Sequence, residues 1–149
     1  MDWPERARRA RATALAAAER LGSGGEAGTP IEVTRLDIEG ERYILVPLID
    51  DGWTMGLVET DQEGGQARRV AALRSAGAVV PLTAEEARAR AAVLDVRTPR
   101  RVFLGWRPCR QSWDGFNPFW VLEFGDDDRL YVDQAGRVHP ALDPGGPGG

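Results

Sequence analysis

The sequence contains the same short motif twice, Asp-Gln-x-Gly at residues 61–64 and again at residues 133–136. The two copies lie 72 residues apart, which is about half of the 149-residue chain. Each copy is followed within a few residues by an Arg-Val pair, at residues 69–70 and 137–138. Aspartate and glycine favour turns, and valine favours strands. The repeat therefore predicts a duplicated unit whose shared residues form turns and core rather than a catalytic centre.

The first half of the chain is expected to hold one helix and three strands. Apolar residues recur at three- and four-residue steps from Trp3 to Leu21, which predicts an amphipathic helix over residues 4–21. Alternating and continuous apolar runs then predict strands at residues 32–38, 43–49 and 53–59. The sequence Asp-Asp-Gly at residues 50–52 indicates a tight hairpin turn between the last two strands.

The second half repeats this order. Thr83 and Glu86 have the spacing of a capping box, which predicts a helix over residues 84–94. Strands are expected at residues 100–107, 118–124 and 129–133. The acidic turn at residues 126–128 falls at the same place in its half as the turn at residues 50–52. We therefore expect an α+β fold of two α-β-β-β repeats, with the helices packed on antiparallel sheets.

The expected boundaries follow from these elements. The first α-β-β-β unit is placed at residues 1–75 and the second at residues 76–142. The last seven residues, 143–149, consist mainly of glycine and proline and have little to bury. They are expected to be disordered.

The segment at residues 130–138, with its aromatic-Val-Asp followed by Gly and Val, resembles the end of a PepSY-type module. That family has a helix followed by a curled antiparallel three-stranded sheet and is related to the cystatin-like architecture. The resemblance covers residues 83–142, with the helix at residues 84–94 in the family's helix position, and extends more weakly over residues 10–73. It implies a module that binds or inhibits peptidases or regulates envelope proteins, and it implies no catalytic residues.

Composition excludes several classes of function. The net charge of -4 argues against nucleic acid as a partner, so the arginines at the start of the first helix are interpreted as a solvated face. The chain contains no lysine, which excludes Schiff-base chemistry. It has no apolar run near the roughly 18 residues that cross a membrane and no apolar secretory leader at its start. We expect a cytoplasmic protein that binds neither nucleic acid nor membrane.

The residues with the most reactive chemistry form no convincing site. Cys109 and His139 are the single cysteine and the single histidine, so no disulfide is possible and zinc would lack its usual ligands. No oxyanion-hole motif accompanies them, so a thiol–imidazole catalyst is not expected. Three consecutive aspartates at residues 126–128 fit a solvated turn better than a calcium loop. We expect no enzyme activity, no metal and no cofactor.

Aromatic residues are concentrated in the second half, where eight of the eleven lie between Phe103 and Tyr131. Neighbouring residues of a strand point to opposite faces, so one face needs a cover or a partner. The loop at residues 107–117 mixes tryptophan with arginine, which is typical of interfaces. The predicted partner-binding residues are Arg107, Arg110, Trp113, Phe116, Phe119 and Trp120.

The main hypothesis is a non-catalytic protein- or peptide-binding or regulatory module, present as a monomer or homodimer. A first alternative is a small-molecule-binding protein or small enzyme with a pocket between sheet and helix, lined by Arg107, Trp120, Tyr131 and Asp133. A second alternative is an immunity-type inhibitor of a toxin, which suits a small acidic chain.

Overall fold

The computed structural model describes residues 1–22, 25–76 and 79–144, with the side chains of residues 74–76 excepted. These residues form a mixed α+β protein with mostly antiparallel strand pairing. The elements in chain order are α1 (Trp3–Arg20), β1 (Glu26–Ala27), β2 (Ile31–Arg35), β3 (Arg42–Asp50), β4 (Trp53–Thr60), β5 (Ala67–Ala76), α2 (Ala84–Ala92), β6 (Arg101–Trp106), β7 (Phe119–Gly125), β8 (Asp128–Val132) and β9 (Val138–His139).

The chain divides into two compact units. The first unit contains Met1–Val33 and Gly40–Val79, and the second contains Thr34–Glu39 and Val80–Gly149. The expected boundary at residues 75 and 76 thus differs by a few residues, and a six-residue segment of the first half joins the second unit. Local sequence patterns do not reveal such an exchange because it depends on pairing between distant strands.

In the first unit, α1 forms because its start is capped and one of its faces consists of alanine. The Asp2 side chain accepts a hydrogen bond from the Glu5 N–H at 3.1 Å, which satisfies one free donor of the first turn. The buried alanines Ala10, Ala14 and Ala17 pack against the cluster built from Ile44, Val46, Leu48 and Val58. Their short side chains bring the helix close to the sheet.

The predicted apolar stripe of α1 is not buried at its C-terminal end. Leu21 is 64% exposed. Arg6, expected on a solvated face, is instead buried against the strands and forms a salt bridge with Glu32. Its Nε also donates to the Gln62 carbonyl at 2.7 Å. A buried guanidinium is tolerated here because the carboxylate and the carbonyl replace its lost water.

The strands of the first unit form an antiparallel meander in the order β5-β4-β3, and β3 also pairs with β1. The β3–β4 hairpin closes through Asp51 and Gly52, with φ of 49° and 78°. Left-handed conformations at both central residues fit the twist of the hairpin, so the predicted turn is confirmed. Strand β5 was not predicted from sequence, because its Ala- and Arg-rich composition lacks the β-branched alternation that indicates a strand.

In the second unit, the predicted N-cap of α2 at Thr83 is confirmed, and the Glu86 carboxylate reaches back to the Thr83 hydroxyl. The Thr83 Oγ1 accepts from the Glu86 N–H and donates to the Glu86 carboxylate, both at 3.1 Å. Helix α2 buries Ala87 and Ala91 against a cluster that contains Leu82, Leu122 and Val132. Strands β6, β7, β8 and β9 pair antiparallel in chain order.

The segment that joins the second unit from the first half pairs in parallel with β6. Thr34 lies opposite Gly105 and Arg35 lies opposite Trp106. The Leu36 N–H then donates to the Trp106 carbonyl at 2.9 Å. Because Leu36 packs closely over Gly105, a side chain at that glycine would collide with it.

The two Asp-Gln-x-Gly turns share one backbone hydrogen bond and have a second that differs by one residue in span. The glycine N–H donates to the aspartate carbonyl, at 3.1 Å for Gly64 and 2.9 Å for Gly136. The aspartate N–H donates at 3.0 Å to the Gln66 carbonyl in the first turn and to the Arg137 carbonyl in the second, so the first turn is one residue longer. Both glycines have positive φ, 75° and 86°. Each turn also lies against the helix of its own unit, Gly64 on α1 and Gly136 on the Arg90 side chain of α2.

Neither helix in the described part of the chain combines the length and the apolar character needed to cross a lipid bilayer.

The substitution Gly64→Ala is expected to destabilise the protein by at least about 3 kcal/mol. Its Cβ would lie 2.6 Å from the Arg6 carbonyl oxygen and 2.7 Å from the Ala10 nitrogen, in addition to the strain of the positive φ. The matched control is Gly40→Ala, which has φ of +76° but nothing within 4 Å, so it should lose only about 1 kcal/mol. Urea unfolding of both variants measures the two losses, and equal losses would contradict the close helix contact.

Candidate functional site

The loop between β6 and β7, residues 107–118, is held by hydrogen bonds within itself. Cys109 and Ser112 exchange backbone hydrogen bonds, each at 3.3 Å, which closes a tight turn. The Ser112 hydroxyl lies 2.8 Å from the Asn117 carbonyl and 3.1 Å from the Asp114 carbonyl. The Asp114 carboxylate accepts from the Phe116 N–H at 2.9 Å. Serine and aspartate thus supply the local contacts that fix a loop without regular structure.

Residues 142 and 143, near the end of the described chain, form hydrogen bonds with this loop. The Arg110 N–H donates to the Asp143 carbonyl at 3.0 Å. The Gln111 amide donates to the Asp143 carboxylate at 2.9 Å and accepts from the Asp143 N–H at 3.1 Å. Arg107 donates to the Leu142 carbonyl, and the Leu142 side chain is buried. We call residues 107–118 the clamped loop.

The predicted disordered tail therefore begins with residues that make defined contacts. Asp143 forms hydrogen bonds with the clamped loop as described, and Pro144 forms an isolated antiparallel β-bridge with Cys109. Glycine and proline content did not reveal these contacts because Asp143 makes them, with its backbone and its carboxylate. Residues 145–149, on which most of the tail prediction rests, lie outside the described residues.

The clamped loop holds Trp113 in the solvent. This indole side chain is 70% exposed, although the residues on both sides of it are fixed by hydrogen bonds. Arg110 is also exposed, while Phe116 and Arg107 are half-buried. Of the six predicted partner-binding residues, Trp113 and Arg110 are therefore the two most accessible to a partner.

Phe119 and Trp120 do not belong to the candidate site, because both side chains pack inside the unit. Phe119 is fully buried, and its ring packs edge-on against Tyr131 and His139 with centroids 6.3 and 6.2 Å apart. Trp120 points to the other face, packs in the α2 cluster and donates from Nε1 to the Leu82 carbonyl at 2.7 Å. The strand alternation was predicted, but sequence did not reveal that both faces are covered.

The residues expected to line a small-molecule pocket also make internal contacts. The Asp133 Oδ1 accepts from the Ala135 and Arg137 N–H groups at 3.0 and 2.9 Å, and its Oδ2 lies 2.9 Å from the His139 Nε2. Tyr131 packs on Phe119. A groove of about 260 Å³ in this unit is lined by other residues, between the end of α2 and the side chains of Leu122 and Phe124.

The reactive side chains considered in the sequence analysis are buried or form salt bridges within the unit. Cys109 is fully buried, with its Sγ 3.6 Å from the Ser112 carbonyl oxygen. In the acidic turn, Asp126 pairs with Arg100 and Asp128 pairs with Arg97, both at 2.8 Å. Among the described residues, no three His, Cys, Asp or Glu side chains come together in a way that suits a metal ion.

Near this turn, Glu123 of β7 forms salt bridges with three arginines. Arg100 and Arg129 approach its carboxylate to 2.7 and 3.0 Å, and Arg101 approaches to 3.5 Å. Burial raises the pKa of Glu123, but these arginines outweigh burial and hold the pKa below its usual value. The carboxylate therefore stays ionised and joins β6 to β8 across β7.

Sequence reasoning missed one exposed apolar segment, which follows α2. Val93, Leu94 and Val96 are 84%, 64% and 90% exposed. Leu94 had been expected to continue the apolar stripe of a helix to residue 94, but α2 ends at Ala92 and the stripe ends with it. The three apolar residues Val93, Leu94 and Val96 were visible in sequence, but nothing there indicated that they lie outside the core.

No family model matches the chain, and no significant match was found among curated proteins or solved structures.

The substitution Gln111→Ala is expected to loosen the clamped loop without unfolding the protein. It removes two hydrogen bonds to Asp143, each worth about 1 kcal/mol, so amide hydrogen exchange in the loop should accelerate by about tenfold or more. Gln66→Ala, an exposed glutamine of the first unit, is the control and should leave exchange in the loop unchanged. Unchanged exchange in Gln111→Ala would mean that the tail does not hold the loop.

Proposed function

We propose that this chain is a non-catalytic protein-binding module that contacts its partner through Trp113 and Arg110 of the clamped loop. The observation that carries the proposal is an indole that is 70% exposed on a loop whose backbone is fixed on both sides. Exposure of a large apolar side chain has no benefit for folding, since the side chain gains nothing from burial. A partner that covers it recovers that benefit.

The fixed backbone makes such an anchor efficient. Ordering a mobile loop on binding costs free energy, and a loop already held by hydrogen bonds avoids most of that cost. Tryptophan and arginine are the residue types enriched among those that contribute most to binding energy. The bonds from Asp143 to Arg110 and Gln111 thus have a functional interpretation, because they hold the loop ready for binding.

We further propose that the two units are copies of one ancestral α-β-β-β unit, of the PepSY-like type that the sequence resembles. The shared backbone hydrogen bond of the two Asp-Gln-x-Gly turns, and the position of each turn against its own helix, support this. Each unit also has a helix that precedes its meander of strands. The long loop joins β6 and β7 of the second copy alone; the corresponding connection, between β2 and β3, is the short segment at residues 36–41.

The internal contacts of Trp120, Asp133 and Arg107 favour protein binding over a small-molecule pocket at that place. Each of these side chains already has a hydrogen-bond partner within the unit. A ligand would have to replace those partners before it gained any contact of its own.

The test is a quantitative pull-down from the native host with the unmodified chain, Trp113→Ala and Trp53→Ala. Trp53 is a partly exposed tryptophan of the first unit and serves as the matched control. A true partner is captured by the unmodified chain and by Trp53→Ala, and is lost with Trp113→Ala. For that partner, Trp113→Ala should weaken the Kd roughly 30-fold, which corresponds to about 2 kcal/mol.

The melting temperature separates binding from folding in the same variants. Because Trp113 buries little surface, Trp113→Ala should melt within about 2 °C of the unmodified chain. A large drop in melting temperature would make Trp113 a structural residue. Equal capture by all three proteins would exclude Trp113 from the interface.

A further inference from the structure

Strand β5 lies at one end of the strand order of its sheet. Among the described residues, this ten-residue strand pairs with β4 alone, and its outer edge has no neighbour. The side chains of Arg68, Val70 and Ala72 are exposed along it. An unpaired strand edge presents a row of N–H and C=O groups that another extended chain can pair with.

The direction of these backbone groups follows from one close contact. A Cβ built on Gly56 of β4 would lie 3.0 Å from the Ala71 carbonyl oxygen, so Ala71 turns its polar groups towards β4. The backbone polar groups of successive strand residues point to opposite sides. Val70 and Ala72 therefore direct their N–H and C=O groups outwards.

A groove runs beside the start of this strand. It has a volume of about 900 Å³ and lies between α1 and the beginning of β5, with Thr13, Ala16 and Arg20 on the helix side and Gln66 and Ala67 on the strand side. The Thr13 hydroxyl donates to the Gly64 carbonyl at 2.6 Å and fixes the helix beside the strand. Small side chains leave the groove open, and Val70, 39% exposed, adds an apolar surface along β5.

The charges around the groove are mainly positive. Arg20 lines it, and Arg68 is exposed at the bulge that shifts the β4–β5 register. The Arg9 guanidinium lies over Gly65, since a Cβ there would be 2.8 Å from its Nη2. Among the described residues that line the groove, Glu19 is the one with a carboxylate. An acidic ligand therefore fits better than a basic one.

We propose that the outer edge of β5 binds an extended acidic peptide segment, which adds to the sheet as a further strand. Its backbone pairs with Val70 and Ala72, and alternate side chains enter the groove beside α1. Acidic side chains lie near Arg20 and Arg68. A second copy of this chain is disfavoured as the occupant, because it would bring its own Arg68 and Arg69 towards the same charges. This surface is separate from the clamped loop and does not depend on its function.

The experiment measures fluorescence anisotropy with three labelled heptapeptides and the full chain. The first alternates Glu and Val, the second alternates Lys and Val, and the third is the Glu/Val peptide with every second amide N-methylated. The first should bind saturably. The second lacks the charge match and the third lacks the strand hydrogen bonds, so both should bind at least about tenfold more weakly.

Three variants of the protein complete the test. Ala72→Pro removes an outward N–H and keeps the pairing with β4, since proline is tolerated on the open side of an edge strand. It should lose about tenfold in affinity for the Glu/Val peptide while its circular dichroism stays unchanged. Arg20→Glu should also weaken binding, whereas Arg8→Glu, an exposed residue on a different side of α1, should not.

Several results would overturn the proposal. Equal binding of the Glu/Val and Lys/Val peptides would remove the charge argument, and equal binding of the N-methylated peptide would remove strand addition. If Ala72→Pro fails to fold, the N-methylated peptide decides the question on the unmodified chain. Concentration-dependent dimerisation that Ala72→Pro abolishes, with no binding of the Glu/Val peptide, would assign the edge to a second copy instead.

Discussion

The close contact between each Asp-Gln-x-Gly turn and the helix of its own unit is the constraint on which the scaffold depends. In the first unit, Gly64 touches the backbone of α1, so nothing larger than hydrogen fits between them. The same turn receives the Arg6 and Thr13 side chains from the helix. This contact fixes where α1 lies over β3 and β4, and the alanine face of the helix then completes the core. In the second unit, the Gln134 side chain connects its turn to the Leu82 N–H and the Pro118 carbonyl.

The clamped loop uses the scaffold of the second unit. β6 and β7 hold its two ends, and the hydrogen bonds from Asp143 to Arg110 and Gln111 hold its middle. Inside the loop, Cys109 and Ser112 are buried, so the loop has a small core of its own. The result is a surface segment with few internal degrees of freedom that holds one indole in the solvent. That combination suits recognition more than stability, because the indole adds little to the core.

Local signals predicted most of the scaffold. The capping box of Thr83 and the glycine turns were visible because their chemistry involves residues within four positions of one another. The alanine spacing predicted both helices, although α2 ends at Ala92 and not at residue 94. Strand β5 was missed because its composition favours a helix, and only pairing with β4 makes it a strand. Local propensity carries no information about such a distant partner.

The candidate site was less predictable for the same reason. Sequence placed Trp113 and Arg110 on a loop, and the structure leaves both exposed. Sequence grouped Phe119 and Trp120 with them, although the two rings are covered on opposite faces of one strand. Trp120 is covered by the α2 cluster, and Phe119 packs against Tyr131 and His139, and no pattern within residues 118–124 encodes those neighbours. Burial, unlike turn formation, is a property of the assembled unit.

The central claim is that the clamped loop holds Trp113 in a fixed, exposed position before any partner binds. Backbone ¹⁵N relaxation of the free protein tests this claim most directly, because it measures the order of each amide in the loop. We expect order parameters of about 0.85 for residues 109–117, equal to those of β6 and β7. Values below about 0.6 across the loop would contradict the account, since a mobile loop offers no prearranged anchor.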